Sequence, residues 1–371
     1  ARRAVPTLVG LVAARAAMLA EGVSSCGPRR RTSRTPHDNP WVLPNVSTVA
    51  LSPGGRHAWA SDRHGVMNVW NLETGKRLTT FWAHNRSSSK SSRAVMSIAF
   101  APERGATGRA YAVTAGVDGT AKVWTATGSL LHTFKHNRSV LSAVFAPEGS
   151  RILTASTDGT ARLWNATTGE PLHTFKHNRS VRTGSFPRLI SAVFAPEGGR
   201  ILTDSVDRTV KLWNATTGDL LRTFTRTDTD PVMFSREGGR VLMVSNDDTA
   251  KICNAMTGGL LHNLKHEEGG LHSAVFSPEG GRVLTAAVDG NATLWNATTG
   301  GRLHTWQFSD IPSFFIAAVF SSDGGRILTA TAWGRTKVWD AAGRELWELI
   351  HEEGQVVKSA VFGLQGGRVV T

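Results

Sequence analysis

A ten-residue segment, LHTFKHNRSV, occurs twice in this chain, at residues 131–140 and 172–181. Each copy is followed by a version of the pattern SAVFAPEG, RILT and LWNATTG. A repeat with a period of about forty residues indicates one supersecondary unit that stacks on its neighbours. This periodicity constrains the fold far more than the ligand, because one repeat architecture supports many functions.

Each unit shows the alternating pattern of short β-strands. In the third unit the alternating runs are residues 142–145, 151–156, 162–164 and 171–175. The turns between these runs are rich in Pro, Glu, Asp, Asn and Gly, which are typical of tight connections. Four antiparallel strands in about forty residues are typical of one blade of a β-propeller. We therefore predict an all-β protein.

The end of each third strand is marked by a large apolar residue, which allows the units to be counted. These anchors are Trp70, Trp124, Trp164, Trp213, Cys253, Trp295 and Trp339. A further unit begins at His351 and continues to Phe362. The pattern predicts seven complete four-stranded blades plus a partial eighth, all within residues 41–371.

Residues 1–40 differ from the repeats, because they are rich in Arg and poor in acidic residues. We interpret them as a basic N-terminal extension that is largely disordered or forms a short helix; an organelle-targeting segment is the alternative. Two cysteines, Cys26 and Cys253, indicate no disulfide framework, so a cytoplasmic or nuclear location is expected. The chain starts with Ala and ends inside a predicted strand, so we expect a fragment of a longer protein.

From Trp41 to Thr371 the repeats closely resemble those of the WD-repeat family. That resemblance implies a hydrogen-bonded network in each blade. It joins a His before the first strand, an Asp in the turn between the second and third strands, and the Trp that ends the third strand. The matching sets are His84, Asp118 and Trp124; His136, Asp158 and Trp164; His177, Asp207 and Trp213; and His266, Asp289 and Trp295.

These Asp–His pairs resemble catalytic pairs, but active sites do not recur in four blades of one chain. Burying a carboxylate requires partners, which gives the network a structural reason to exist. The pairs His132/His136, His173/His177 and His262/His266 have the spacing of a metal site on a helix, but rings on a strand-to-loop path do not converge in that way. We therefore predict no catalytic, cofactor or metal site, and no enzyme activity.

The net charge of +13 and the loops between blades favour a binding role. By family analogy the loops that enter the first strands lie on one rim. Those entering units two to four are basic, whereas those entering units five to eight are mainly acidic. The predicted partner-binding residues are Arg138, Arg179, Arg182, Phe186 and Arg188. Phe186 would be an interface anchor, or it would fold back to fill a gap.

The favoured function is a non-catalytic scaffold that binds a protein or peptide segment on this rim, with an acidic or phosphorylated segment preferred. One alternative is nucleic-acid binding through the same basic arc and the Arg-rich N-terminal segment. Another is that the chain is the C-terminal sensor portion of a larger regulatory enzyme. No apolar run reaches the ~18 residues of a membrane helix, so no membrane partner is predicted.

Three units depart from the network and are expected to be the least stable. Unit five has Cys253 in place of Trp, unit one has His64 where Asp belongs, and unit seven has Trp333 there. Because these units lose hydrogen bonds between buried groups, their amides should exchange hydrogen faster than those of units two, three, four and six. Hydrogen exchange followed by mass spectrometry tests this, and equal protection in all units would contradict it.

Overall fold

The computed structural model describes residues 46–53, 56–62, 64–84, 95–102, 111–177, 189–225, 232–245, 249–266, 270–287, 290–307, 315–331, 335–350, 361–362 and 369–370. Within these ranges every regular element is a β-strand. The strands form seven four-stranded sheets and one two-stranded sheet, and each sheet is antiparallel with its strands in sequence order. The all-β prediction with seven blades is confirmed.

The strands are numbered β1 to β30 in chain order, and blades one to seven each take four of them. Blade one contains β1 (Val46–Leu51), β2 (His57–Asp62), β3 (Val66–Asn71) and β4 (Arg77–Trp82). Blade two contains β5 (Val95–Phe100), β6 (Ala112–Gly116), β7 (Thr120–Trp124) and β8 (Leu130–Lys135). Blade three contains β9 (Val140–Phe145), β10 (Arg151–Ser156), β11 (Thr160–Asn165) and β12 (Pro171–Lys176). Blade four contains β13 (Leu189–Phe194), β14 (Arg200–Ser205), β15 (Thr209–Asn214) and β16 (Leu220–Thr225).

The remaining strands continue the same order. Blade five contains β17 (Val232–Phe234), β18 (Arg240–Ser245), β19 (Thr249–Asn254) and β20 (Leu260–Lys265). Blade six contains β21 (Leu271–Phe276), β22 (Arg282–Ala287), β23 (Asn291–Asn296) and β24 (Arg302–Gln307). Blade seven contains β25 (Phe315–Phe320), β26 (Arg326–Thr331), β27 (Arg335–Asp340) and β28 (Glu345–Ile350). A final pair consists of β29 (Val361–Phe362) and β30 (Val369–Val370).

Burial differs systematically across the four strands of a blade. The second and third strands are buried along most of their length, as in β10 and β11. The fourth strand, such as β12, exposes most of its side chains. First strands of several consecutive blades lie beside one another, as β5 does with β9. The first strands therefore lie on the inside of the stack and the fourth strands form its outer edge.

The hydrophobic core lies between blades. The face of blade three that looks toward blade four contributes Leu153, Leu163 and Phe175, and blade four contributes Ile201 and Trp213. The same arrangement joins blade five to blade six and blade six to blade seven. A blade therefore cannot bury its apolar faces alone, which is why the repeats stack.

The turn after the third strand depends on an Asn side chain in blades one, three, four, five and six. Asn165 Oδ1 accepts hydrogen bonds from the backbone N–H groups of Thr167 and Thr168, at 2.8 and 3.0 Å. Gly169 completes the turn with a φ of 77°, which favours glycine. In blade seven, Asp340 Oδ1 accepts the equivalent hydrogen bond from the backbone N–H of Ala342. Asn and Asp thus make the same turn at this position.

An arginine at the start of the second strand links one blade to the next. Arg240 Nε donates to Glu237 Oε1 at 2.8 Å within blade five. Its Nη1 and Nη2 donate to the carbonyl oxygens of Ala297 and Gly280 in blade six, both at 2.9 Å. The guanidinium also lies 5.7 Å from the ring centroid of Phe276. Other arginines that pair with a Glu three residues earlier and lie over a Phe of the next blade are Arg151, Arg200 and Arg282.

The strands β29 and β30 occupy the position predicted for an eighth unit. Phe362 and Val369 pack against Leu328, Ala330 and Val338 of blade seven. In the described part of the chain these two strands pair only with each other. A partial eighth blade therefore stays a prediction. The predicted N-terminal extension, residues 1–40, lies outside the described residues.

Candidate functional site

The strongest polar constellation is the predicted network, and blade two shows its geometry. His84 Nδ1 lies 3.0 Å from Asp118 Oδ1, and Trp124 Nε1 donates to Thr114 Oγ1 at 2.9 Å. His84 Nε2 lies 2.9 Å from the same Thr114 hydroxyl. Thr120 donates its backbone N–H and its hydroxyl to Asp118 Oδ1. Histidine and tryptophan are therefore joined through a threonine of the second strand.

The same network recurs in blades three and four. His136 and His177 contact Asp158 and Asp207 at 3.2 and 3.0 Å. Blade six has the His266 and Trp295 part of the network, both bonded to Thr285 at 2.7 Å. Asp289 lies outside the described residues. Blade seven has only the bond from Trp339 to Thr329 among the described groups of its network.

Sequence reasoning missed the threonine. The bridging residues are Thr114, Thr154, Thr203, Thr285 and Thr329, and each precedes its tryptophan by ten residues. That constant offset is visible in the sequence, but threonine is common in strands, so the offset alone does not indicate a polar role. The threonine has a physical role, because an indole N–H and an imidazole nitrogen that are buried together both require a partner.

The network holds its carboxylates in the ionised form. Burial alone raises the pKa of Asp118, but the hydrogen bond and charge of His84, together with the bonds from Thr120, outweigh it and lower the pKa from 3.8 to about 2. The same balance lowers the pKa values of Asp158 and Asp207. Because a carboxylate only accepts, the histidine Nδ1 carries the proton.

This constellation is closed to substrates. The side chains of His84, His136 and His177 are 0% exposed, and those of the paired aspartates are 6–8% exposed. A general base must reach the proton that it removes, and these rings face only protein groups. The geometry is that of a structural support for the turns and loops on one edge of the blades.

The paired histidines of the fourth strands have separate contacts. His136 belongs to the network, whereas His132 Nε2 bonds to the carbonyl oxygen of Thr167 in the next blade at 2.9 Å. His173 makes the equivalent bond to Thr216. These outer-strand rings are therefore half-buried links between blades and not simply solvated. Within the described ranges no group of three or more His, Cys, Asp or Glu side chains could hold a metal ion.

The loop rim is the edge formed by the loops that enter the first strands and by the turns between the second and third strands. In blade three, Asp158 Oδ2 accepts the backbone N–H of Asn137, and Ser156 Oγ donates to the carbonyl oxygens of Arg138 and Ser139. On the other side, Ser139 Oγ donates to Val117 of blade two. The loop that carries Arg138 is thus held by the turns on both sides, and the side chain of Arg138 is exposed.

Of the five predicted partner-binding residues, the structure places only Arg138. The other four, Arg179, Arg182, Phe186 and Arg188, lie outside the described residues, as do the acidic residues predicted for the opposite arc. The structure therefore shows how one basic rim loop is held, and the composition of the rest of the rim stays a prediction from the sequence.

The structure adds one basic residue to the loop rim. Arg208 lies in the turn after Asp207 and has a φ of 66°. Glycines occupy the equivalent position in other blades, at Gly119, Gly159 and Gly290, with φ between 80 and 86°. A non-glycine residue whose backbone adopts this left-handed conformation costs roughly 1–2 kcal/mol of stability. Arg208 is exposed, so its side chain makes no contribution to the core that would offset this cost.

Comparison with known families agrees with the geometry of the blades. The WD40 family (WD domain, G-beta repeat) matches residues 128–165, 169–214 and 258–296. Each matched segment runs from the fourth strand of one blade to the third strand of the next, which is the span that holds the network. The matched segments of this chain are WD repeats. WD repeats generally mediate interactions between proteins and are generally non-catalytic.

The solved structures support the fold alone. The computationally designed Ika8 protein, in a crystal form in P63, is 23% identical to this WD-repeat chain with a TM-score of 0.64. The alignment covers 88% of this chain and 95% of the designed protein. A search of curated protein sequences gives no significant match. No helix long and apolar enough to cross a membrane occurs among the residues described.

Replacing the bridging threonine of blade three tests the network. Thr154→Val keeps the side-chain shape but leaves the Trp164 N–H and the His136 Nε2 without their partner. We expect unfolding free energy to fall by about 2–4 kcal/mol, because each buried group left unsatisfied costs roughly 1–3 kcal/mol. Urea denaturation measures the loss. Thr174→Val, on the exposed fourth strand of the same blade, is the control and should change stability little.

The lowered carboxylate pKa predicts acid sensitivity. The folded pKa of Asp118 is about 2 and its ordinary value is 3.8, so its stabilising contribution is complete above about pH 4 and is lost as pH falls toward 2. The contribution is about 2 kcal/mol. We expect Asp118→Asn to destabilise the protein strongly at pH 6 and much less at pH 2.5, as measured by urea denaturation. An equal effect at both pH values would contradict this assignment.

Proposed function

We propose that this protein is a non-catalytic scaffold whose loop rim binds an acidic or phosphorylated segment of a partner protein. The observation that best supports this proposal is the loop with Arg138. The side chain of Arg138 is exposed, and the backbone of the loop is held by both neighbouring turns. Arginine on a rigid support suits carboxylate and phosphate groups, since its fork can make two parallel charge-assisted hydrogen bonds. Little ordering entropy is then lost when the partner binds.

The strained turn at Arg208 supports this proposal. Arg208 follows Asp207, and Asp207 holds His177 immediately before the loop that contains Arg179, Arg182 and Arg188. A strained non-glycine residue that contributes nothing to packing indicates a role outside stability. Its guanidinium extends the basic arc of the loop rim within blade four. A positive arc of this kind steers acidic partners and sets their orientation.

Replacing the four predicted arginines together tests the proposal. With Arg138, Arg179, Arg182 and Arg188 all changed to Ala, we expect affinity for a labelled peptide of alternating Glu and phosphoserine to fall at least ~100-fold, because each charged hydrogen bond contributes about 1.5–3 kcal/mol. The matched control changes Arg56, Arg77, Arg236 and Arg344, four exposed arginines at the opposite edge of the blades, to Ala. Fluorescence anisotropy should show binding retained in the control and lost in the loop-rim variant.

Arg208→Gly separates binding from stability. The change relieves the left-handed strain and removes one charge, so the melting temperature should stay the same or rise while peptide affinity falls several-fold. Unaltered binding in both the four-arginine variant and Arg208→Gly would overturn the proposal. If single-stranded DNA displaced the peptide, with an affinity that fell steeply with salt, the nucleic-acid alternative would replace it.

A further inference from the structure

The junction between blades four and five contains an exposed methionine where the related turns carry threonine. Met256 lies in the turn after β19 and is 56% exposed. The equivalent residues in the turns after β11, β15 and β23 are Thr167, Thr216 and Thr298. The other methionines in the described ranges are buried or half-buried, and these are Met67, Met96, Met233 and Met243. Among the described thioethers, that of Met256 is therefore the most open to reagents in solvent.

The sulfur of Met256 lies against a guanidinium group of the preceding blade. Arg200 Nη1 is 3.3 Å from Met256 Sδ. The guanidinium is held in place, because its Nε donates to Glu197 Oε1 at 2.6 Å and its carbon lies 5.8 Å from the ring centroid of Phe234. The corresponding arginines of blades three, five and six direct their Nη donors to carbonyl oxygens of the next blade. At this junction the same kind of donor faces a thioether, which is only a weak acceptor.

A second guanidinium group fixes the backbone of the same turn. Arg222 Nε donates to the carbonyl oxygen of Met256 at 2.8 Å, and the Met256 N–H donates to Asn254 Oδ1 at 2.9 Å. Where threonine occupies the turn, its carbonyl oxygen is bonded instead to a fourth-strand histidine, and these are His132, His173 and His262. The change from threonine to methionine thus coincides with a change from histidine to arginine. Together they leave a fixed methionine whose sulfur faces an immobilised cation.

We propose that Met256 is a site of oxidation by hydrogen peroxide, and that the guanidinium of Arg200 binds the sulfoxide oxygen that forms. A lone pair of Sδ attacks one peroxide oxygen, so that an S–O bond forms and the O–O bond breaks. The proton on the transferred oxygen passes to the departing hydroxide, which leaves as water. The thioether is oxidised and the peroxide is reduced. A thiol-dependent methionine sulfoxide reductase reverses the change, since it removes the oxygen as water while its thiols become a disulfide.

Oxidation at this position would strengthen the contact between blades four and five. A sulfoxide oxygen carries partial negative charge, and a hydrogen bond to it from a guanidinium is stronger than one to a thioether. Because Arg200 is already held beside the sulfur, the new bond requires little further ordering. Blade five has Cys253 where the other blades end their third strand in tryptophan. The modification would therefore support a blade that lacks the indole bond of its neighbours.

Treatment of the full chain with dilute hydrogen peroxide, followed by peptide mass spectrometry, tests the site. We expect Met256 to gain one oxygen atom at least about tenfold faster than the buried Met67, Met233 and Met243. Hydrogen exchange on the oxidised protein tests the contact. Amides of β19 should exchange at least about threefold more slowly than in the untreated protein, because the added hydrogen bond opposes local opening of blade five.

A matched pair of variants tests the contact without peroxide. Met256→Gln places an amide oxygen near the position of the sulfoxide oxygen, so exchange in β19 should slow in the untreated protein. Met256→Leu keeps an apolar side chain without an acceptor, so exchange should match the untreated parent and should not respond to peroxide. Both changes are at an exposed position, which keeps the fold intact. In Arg200→Ala, peroxide should still oxidise Met256 but should no longer slow exchange in β19.

Three results would overturn the proposal. The first is oxidation of Met256 no faster than that of the buried methionines. The second is exchange in β19 that oxidation leaves unchanged or accelerates. The third is an equal slowing by peroxide in Arg200→Ala and in the parent, since the guanidinium would then have no part in it. Met256 lies at the edge of the blades opposite the loop rim, so the variant that lacks the four loop-rim arginines should respond to peroxide as the parent does.

Discussion

Blades two, three, four, six and seven share one buried hydroxyl, that of the threonine bonded to the tryptophan of the third strand. An indole gives these third strands a large apolar surface, but its N–H must find a partner when it is buried. The threonine accepts that N–H and contacts the histidine, and the histidine holds the aspartate of the tight turn. Packing of the sheet and geometry of the turn are thus linked through a short chain of polar groups. Such a chain is stabilising only when all its members are satisfied.

The same chain connects the interior of a blade to its loop rim. Asp158 bonds both to His136 inside the blade and to the backbone N–H of Asn137 in the loop. The carboxylate therefore fixes the position of Arg138, although it lies in a separate turn. Binding at the loop rim would begin from a surface that is already ordered. The Asp–His pairs, which resemble catalytic pairs, therefore have the structural role of holding the loops of the rim.

Much of the fold follows from the repeat. The period near forty residues, the alternating runs and the recurring tryptophan predicted seven four-stranded sheets, and the aspartate six residues before each tryptophan pointed to the network. The threonine was missed because its polar role is hidden within a strand pattern that also suits packing. Arg240 was missed because a Glu and an Arg three residues apart resemble an ordinary surface pair. Its bonds to the next blade form only when blades stack, so the sequence of one unit does not reveal them.

The site was harder to predict than the fold. Arg138 was singled out for its charge, but the bonds that fix its loop come from Ser156 and Val117, which belong to two different units. Arg208 was not predicted, because the sequence of its own unit does not show that its φ is positive. Comparison with the glycine at the same place in other units could have revealed it.

The arginine links between blades also bear on how such a chain can grow. From blade three to blade seven, each junction places an arginine guanidinium of one blade over a phenylalanine ring of the next. The guanidinium groups of blades three, five and six also donate to carbonyl oxygens of the next blade. These four junctions therefore share one type of contact. A duplicated unit placed in the middle of the array would meet compatible groups on both flanks. Gene-level copying of whole units could then lengthen the protein without redesign of any contact surface.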